Sequence, residues 1–270
     1  MLVLRWAYTV WVGIVFVSLM LALLPLFMLY PLAGFRANLW LATLTMQVWF
    51  RSFLLLVFIP VRVSNRRQAL QARPCIFIAN HNSFLDTPIV KSVLGGRFLP
   101  LGKREQTKTP ILGWIYRFNV VLVDRGDAES RARSMARMQQ LLKQNISVFV
   151  FPEGRMNRTP HLLASFYDGA FRLALENHVP VCPFVVTNTR NIMPRGRWPI
   201  GLPRAVKAVF ASPIPTQHLQ LDDLPKLKAQ SYDAMFQLMR QHAPEATPGY
   251  HAEPAPAEPP RPAAPRKRLK

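Results

Sequence analysis

The sequence predicts an α/β fold, a mostly parallel sheet flanked by helices, with an N-terminal hydrophobic membrane helix or two-helix anchor. Three observations predict it. Residues 6–35 carry no charged side chain. After Arg73, short apolar runs of strand length alternate with helical periodicities, the order that builds parallel sheets. Half of the 270 residues are apolar, enough for a packed core and against global disorder.

The stretch from Trp6 to Phe35 exceeds the roughly 20 apolar residues that cross a bilayer. A signal peptide would have a shorter apolar region, and large side chains follow Pro25 where small ones should mark a cleavage site. Buried soluble helices of this length without charge are rare. A second apolar stretch, Ala37 to Val61, is broken by Arg51 and is aromatic at Trp40, Trp49, Phe50, Phe53 and Phe58. It either spans with Arg51 buried in protein, or lies in the interface with Arg51 reaching the headgroups. The cluster Arg62, Arg66, Arg67 and Arg73 comes next, and no Asp or Glu precedes Asp86. By the positive-inside tendency this cluster and everything after it stay cytoplasmic.

Strands are predicted at 74–79, 97–101, 120–123, 147–151, 181–187 and 205–211. Helices are predicted at 110–118, 128–144 and 168–177, with a last one opening at Asp223 and Pro225. In 128–144 the residues Met135, Met138, Leu141 and Leu142 share one side, and most of the arginines point elsewhere. From Ala243 onward eight of 28 residues are proline, and the chain closes on Arg266, Lys267, Arg268, Leu269 and Lys270. Such a segment builds no core, so residues 243–270 are expected to be a disordered, basic, Pro-rich tail. The anchor is expected over 1–61 and the α/β domain over 62–242.

Lys and Arg number 34 and Asp and Glu 14, a formal net charge of +20. That balance draws the chain to polyanions, either nucleic acid or an anionic lipid surface. No nucleic-acid-binding motif is recognisable and the basic residues are spread widely, which argues against nucleic acid as a partner. Cys75 and Cys182 sit inside apolar runs and read as buried thiols; their spacing fits no metal site.

The chemistry concentrates in Asn80-His81-Asn82-Ser83-Phe84-Leu85-Asp86. Five residues rotate roughly 140° around a helix, so His81 and Asp86 cannot share a helical face. A strand end, a turn and a helix starting near Asp86, with Pro88 in its first turn, remove that objection. Asp86 would then hold one imidazole nitrogen, leaving the other to accept a proton from a substrate hydroxyl. Taken alone, the same residues also fit a histidine that caps a loop. Three further segments follow predicted strands or open one: Val123-Asp124-Arg125, Phe151-Pro152-Glu153-Gly154-Arg155, and Val179-Pro180-Val181-Cys182-Pro183. Read singly, Glu153 and Arg125 fit a surface ion pair, and the prolines ordinary strand punctuation.

Together the four blocks, in this order, resemble the glycerophosphate and lysophosphatidic acid acyltransferase family. Its His-x4-Asp block is matched by Asn80, His81 and Asp86, and its apolar run ending Asp-Arg by Val123, Asp124 and Arg125. Phe-Pro-Glu-Gly is matched by Phe151 to Gly154, and Val-Pro-Val with a later Pro by Val179 to Val181 and Pro183. Lys103-Arg104-Glu105 and Pro110-Ile111-Leu112-Gly113-Trp114 look like the family too, so the resemblance covers about Arg73 to Ala211. It implies that His81 is the general base and Asp86 its orienting partner. It also implies that Arg125, Glu153 and Gly154, with Arg155 or Arg158, hold the acceptor's glycerol phosphate, and that the block around Pro180 shapes the acyl or acceptor pocket. One departure stands out: Gly154 is followed by Arg155-Met156-Asn157-Arg158 where Thr-Arg-Ser is usual.

The expected function is transfer of a fatty acyl group from an acyl thioester, acyl-CoA or acyl carrier protein, to the free hydroxyl of lysophosphatidic acid. No cofactor and no metal are expected, since no His-Glu-x-x-His or cysteine cluster is present, and there is no Gly-x-Ser-x-Gly nucleophile elbow. Membrane lipids are the expected partners, and the bacterial inner membrane, with the catalytic domain cytoplasmic, is the expected location. Other readings keep the fold and change the acceptor to a lyso-ornithine lipid, another lysophospholipid or glycerol 3-phosphate, or make the chain a basic non-catalytic adaptor for membrane or nucleic acid. Oligomeric state is not legible.

Overall fold

The computed structural model describes residues 1–32 and 34–243. All but the first residue of the expected tail lies outside them. In chain order the elements are α1 (Leu2–Ala22), α2 (Leu24–Met28), α3 (Phe35–Leu56), β1 (Val61–Ser64), α4 (Arg66–Gln71), β2 (Ile76–Ala79), α5 (Asp86–Leu94), β3 (Phe98–Lys103) and α6 (Leu112–Asn119). There follow β4 (Val121–Val123), α7 (Ala128–Lys143), β5 (Ser147–Val150), α8 (Gly169–Asn177), β6 (Val181–Val186), α9 (Thr189–Ile192), β7 (Val206–Phe210) and α10 (Leu224–His242). All six expected strands form within two residues of their expected bounds. The strand β1 and helix α4 occupy the stretch read only as a basic cluster.

One seven-stranded sheet runs β1-β7-β6-β2-β5-β3-β4. β6, β2, β5, β3 and β4 are mutually parallel; β7 is antiparallel to β6, and β1 is parallel to β7. β2, β5 and β6 are buried along their whole length, as central strands covered on both faces must be. Alternation then sorts their side chains. Ile76, Ile78, Val148, Val150, Val181 and Val185 pack beneath α7, α8 and α10. Phe77, Ala79, Phe149, Cys182, Phe184 and Val186 face the other way, toward α5 and the N-terminal helices.

The chain leaves the adjacent strands β2 and β5 in opposite directions. β2 leads into α5 on one face and on to β3; β5 leads into α8 on the other face and on to β6. Between their carboxyl ends is the point where strand order reverses, the crevice in which open α/β sheets place their sites.

α1 and α3, of 21 and 22 residues, are long and apolar enough to cross a membrane. They pair as an antiparallel hairpin: the Tyr8 hydroxyl donates to the Val57 carbonyl at 2.7 Å and the Trp11 indole to Leu56 at 3.0 Å. α1 leaves Leu4, Trp6, Val10, Ile14 and Val17 exposed, an apolar face that suits contact with lipid. α3 lies along the α/β domain instead of standing away from it. Its first residue, Phe35, sits under the Arg137 guanidinium of α7, and Leu39 joins the core of the sheet. Arg51 is exposed overall but is engaged by protein at its head. Its guanidinium donates to the Ser92 carbonyl of α5.

Two members of the basic cluster do related work. Arg66 donates to the Val93 carbonyl at 2.8 Å, and Arg73 to Leu94 and Gly95 at 2.8 and 2.5 Å. The last carbonyls of α5, unpaired within the helix, are thus taken by three arginines, and their charge opposes the negative end of the helix dipole.

The core makes a direct prediction. Phe171 is fully buried on α8, stacked with Phe166. Phe171→Ala should cost about 3–5 kcal/mol, measured by urea unfolding in detergent, with turnover per folded molecule retained because the residue faces away from the crevice.

Candidate active site

The crevice is built from strand ends. β2 stops at Ala79, and the Asn80 side chain extends it by one rung: its amide donates to the Val186 carbonyl at 2.9 Å and accepts from the Val186 N–H at 2.7 Å. His81 follows with both backbone groups held. Its N–H donates to Glu153 Oε1 at 2.7 Å, and its carbonyl accepts from the Asn157 N–H at 2.6 Å. The ring stacks on Phe151 at 3.9 Å and 11°. With position and plane both set, only one orientation of the imidazole remains.

The turn after His81 wraps around Asp86. Asp86 Oδ2 accepts from His81 Nδ1 at 2.9 Å, from the Asn82 N–H at 2.7 Å and from the Ser83 N–H at 2.8 Å. Asp86 Oδ1 accepts from the Thr189 hydroxyl at 2.6 Å. The carboxyl is wholly buried, whereas the His81 side chain keeps 17% of its surface exposed. A carboxylate that only accepts puts the imidazole hydrogen on Nδ1 and leaves Nε2 as an acceptor. Asp86 also stands in the first turn of α5, where the helix dipole favours negative charge. Five residues of separation thus become direct contact, as the turn reading expected.

Glu153 is placed otherwise than expected. It is buried, with Oε1 on the His81 N–H and Oε2 on the Ala164 N–H at 2.8 Å. Burial pushes its carboxyl up to about 8, aided by the nearby Asp86 and opposed by the two N–H donors. It is therefore not half of a surface ion pair with Arg125; it is buried and holds the backbone of the residue that carries the imidazole. Gly154 turns the chain with φ +68°, and a Cβ there would meet the Tyr167 ring at 2.7 Å. That position needs glycine on two counts.

The arginines lie around the rim. Arg155 and Arg158 are exposed on the loop after β5, and Arg125 is partly exposed after β4. β4 is the edge strand, three places from β2 and so about 14 Å across the sheet. Arg125 follows the carboxyl end of β4, the same end of the parallel sheet at which β5 delivers Glu153. Pro180 is not part of this end of the sheet. It opens β6 beside Cys75, with its carbonyl accepting from the Ile76 N–H, roughly 20 Å along the strands from His81. The fourth block reaches the crevice through its other end, at Val186 and beyond. Asn157, in the departure after Gly154, takes a backbone role: its side chain accepts from the Thr159 N–H and hydroxyl and donates to the His161 carbonyl. Thr189, Asn157 and the stacking role of Phe151 escaped the sequence reading. The first two carry no local signal, since an isolated Thr opening a short helix or Asn in a loop is commonplace.

Among the described residues no three His, Cys, Asp or Glu side chains gather as metal ligands.

Glu153→Gln should fold and keep much of its turnover near neutral pH, because a carboxyl that holds its proton up to about 8 is, like the amide, neutral with one carbonyl acceptor, whereas Glu153→Ala leaves the His81 and Ala164 N–H groups without that partner and should lower turnover sharply. The pH dependence of stability should change as well. A carboxyl whose proton is held up to about 8 in the folded state, against an ordinary 4.5, contributes most at low pH. That contribution is lost as pH rises from about 4.5 through 8. Unfolding free energy of the native chain minus that of Glu153→Gln, measured from pH 5 to 9, should therefore decline and then level. Lys91, which burial shifts down to about 7, acts equally in both proteins and cancels from the difference.

Comparison with known proteins places the sequence and the fold. The Acyltransferase family model matches residues 60–187, a span that holds all four blocks. The chain is 32% identical over 189 residues to bovine 1-acyl-sn-glycerol-3-phosphate acyltransferase alpha, covering 68% of this chain and 64% of that protein, less than two thirds of its length. It is 30% identical to human 1-acyl-sn-glycerol-3-phosphate acyltransferase beta, over 69% of this chain and 68% of the relative. It is also 30% identical to the Haemophilus influenzae 1-acyl-sn-glycerol-3-phosphate acyltransferase, over 61% and 68%. The crystal structure of the 1-acyl-sn-glycerophosphate (LPA) acyltransferase PlsC from Thermotoga maritima shares the fold, with a TM-score of 0.68 at 20% identity over 88% of this chain and 95% of that one. With four ordered motif blocks, a matching fold and relatives of this identity and coverage, the chain belongs to the 1-acyl-sn-glycerol-3-phosphate acyltransferase family.

Proposed function

We propose that this chain acylates lysophosphatidic acid from an acyl thioester, yielding phosphatidic acid, with the crevice facing the cytoplasmic surface of a bacterial inner membrane. The observation that carries the reading is the His81–Asp86 pair at the switch point of the sheet, with Nε2 left as an acceptor. Relatives named for acylation of 1-acyl-sn-glycerol 3-phosphate support it.

The chemistry follows from the residues. Nε2 accepts the proton of the acceptor hydroxyl as its oxygen attacks the thioester carbonyl. Asp86 stabilises the imidazolium so formed. The C–O ester bond forms, the C–S bond breaks, and the proton passes to the departing thiolate. A thioester needs no Lewis acid for this step; acyl-CoA and acyl carrier protein both supply one. Arg125, with Arg155 or Arg158, is assigned to the acceptor phosphate, because a guanidinium fork donates two hydrogen bonds to phosphate oxygens and stays charged at working pH. The exposed face of α1 holds the crevice near the lipid acceptor while a soluble donor arrives from water.

His81→Ala should reduce acyl transfer in membranes by about 10²–10⁴ without releasing the protein from them; wild-type turnover in a folded variant would end the proposal. Arg125→Lys keeps the charge and loses the fork. Its KM for lysophosphatidic acid should rise well beyond its KM for oleoyl-CoA or oleoyl-acyl carrier protein. An acceptor lacking the phosphate monoester should show no such rise. Should the Arg125, Arg155 and Arg158 variants all leave the preference for phosphate untouched, the acceptor is a different lipid or glycerol 3-phosphate.

A further inference from the structure

We propose that Thr189 is a positioning residue for the His81–Asp86 pair, and that the segment from Asn188 to Gly201 is a strap tying that pair to the apolar helix α1. The inference rests on the acyl-transfer reading of the site and adds residues that lie beyond the four blocks; the family match ends at Thr187.

Asp86 is wholly buried, and one oxygen, Oδ2, already serves the imidazole and two backbone N–H groups. The other, Oδ1, meets the Thr189 hydroxyl at 2.6 Å, and Thr189 is itself buried at 1% exposure. This contact pulls on the carboxylate from the side opposite the imidazole. It holds the plane of the carboxylate and tempers the charge that Oδ2 presents to Nδ1.

Thr189 is in turn held from three directions. Asn188, before it, donates its amide to the Ala205 carbonyl next to β7 at 2.8 Å. Met193, after it, donates its N–H to the Thr189 carbonyl and accepts from the Ser83 hydroxyl, both at 2.8 Å, so strap and catalytic turn are laced twice. The strap closes on itself where the Gly201 N–H meets the Ile192 carbonyl at 2.7 Å; a Cβ on Gly201 would lie 2.2 Å from the Asn191 carbonyl oxygen. Its far end is pinned to α1. Arg5 donates to the Pro199 and Ile200 carbonyls at 2.6 and 3.0 Å, and the Ile200 N–H donates to the Thr9 hydroxyl at 3.1 Å. Hydrogen bonds linked by single peptide steps, at Ile200–Gly201 and Ile192–Met193, therefore join the helix that presents an apolar face to the group that orients the base.

The test uses the full chain in phosphatidylcholine–phosphatidylglycerol vesicles with 1-oleoyl lysophosphatidic acid and either oleoyl-CoA or oleoyl-acyl carrier protein. Thr189→Val keeps the shape and removes the donor; Thr189→Ala is a second hydroxyl-free variant should valine not fold. Either should lower kcat by roughly 10- to 100-fold, the range for losing a hydrogen bond to a charged group. The acid limb of the pH–rate profile should move to higher pH, since a less-compensated Asp86 draws the imidazole proton more strongly. Thr189→Ser should restore both. Arg5→Met should lower kcat, and its effect should shrink in the Thr189→Val background, as coupled sites behave. Wild-type kcat and profile in Thr189→Val, or a lower rate with an unmoved acid limb, overturns the positioning role. Strictly additive effects of Arg5→Met and Thr189→Val overturn the strap. His81→Ala runs alongside: if it stays active, the acyl-transfer reading itself fails, and if it is dead while Thr189→Val is normal, only this inference does.

Discussion

A carboxylate with no exposure to water organises this molecule. Asp86 sits in the middle of the protein, where an uncompensated charge would cost several kcal/mol. Four donors meet it, two from its own turn, one from the imidazole and one from Thr189. To supply them, β2 must end at Ala79, the chain must turn at once through Asn82 and Ser83, and α5 must begin at Asp86. The helix is then anchored electrostatically at both ends. Asp86 stands at its positive terminus, and Arg51, Arg66 and Arg73 cover the carbonyls at its negative one.

The same logic sets the neighbouring strand. β5 runs beside β2 and delivers Phe151 under the imidazole and Glu153 onto the backbone of His81. Because β2 and β5 send their helices to opposite faces, the region above their carboxyl ends is where open α/β sheets place their sites. The His81 imidazole, the Asp86 carboxylate bonded to it and the Glu153 carboxyl that holds the His81 backbone all gather at this opening. The glycine after Glu153 lets the chain bend away without filling it.

The apolar helices are not an appendage. Tyr8, Val12 and Val15 of α1 share a core with Phe77, Phe184 and Val186 of the central strands, and α3 packs on α5. The change at residue 61 is one of hydropathy, not of packing. An anchor fused to the domain in this way holds the crevice at a set orientation to whatever surface α1 contacts, and the hydrogen bonds of Arg5 and Thr9 fix the near edge of that arrangement.

What the sequence determined by itself was the set of local elements and the identity of the chemical groups. Apolar runs as short as Ile76–Ala79 and Val181–Val186, alternating with longer helical periodicities, argue for buried strands, and that alternation implies the α/β class. A histidine five residues before an aspartate, between a strand and a helix start, implies a turn that brings them together. What the tertiary structure alone decided was direction and pairing. Glu153, read as facing a ligand, turns inward where it meets the N–H of His81, 72 residues away, and that of Ala164, 11 residues on. Pro180, read as part of the pocket, lies at the far end because β6 runs parallel to β2, and only register shows which end of a strand meets the crevice. Arg66 and Arg73, read from the sequence only as members of a basic cluster, bind helix carbonyls about 20 to 30 residues further on. Thr189 meets Asp86 across 103 positions of sequence. Local propensity and periodicity act over a few residues, whereas satisfying a buried polar group draws on whichever part of the chain the fold brings near.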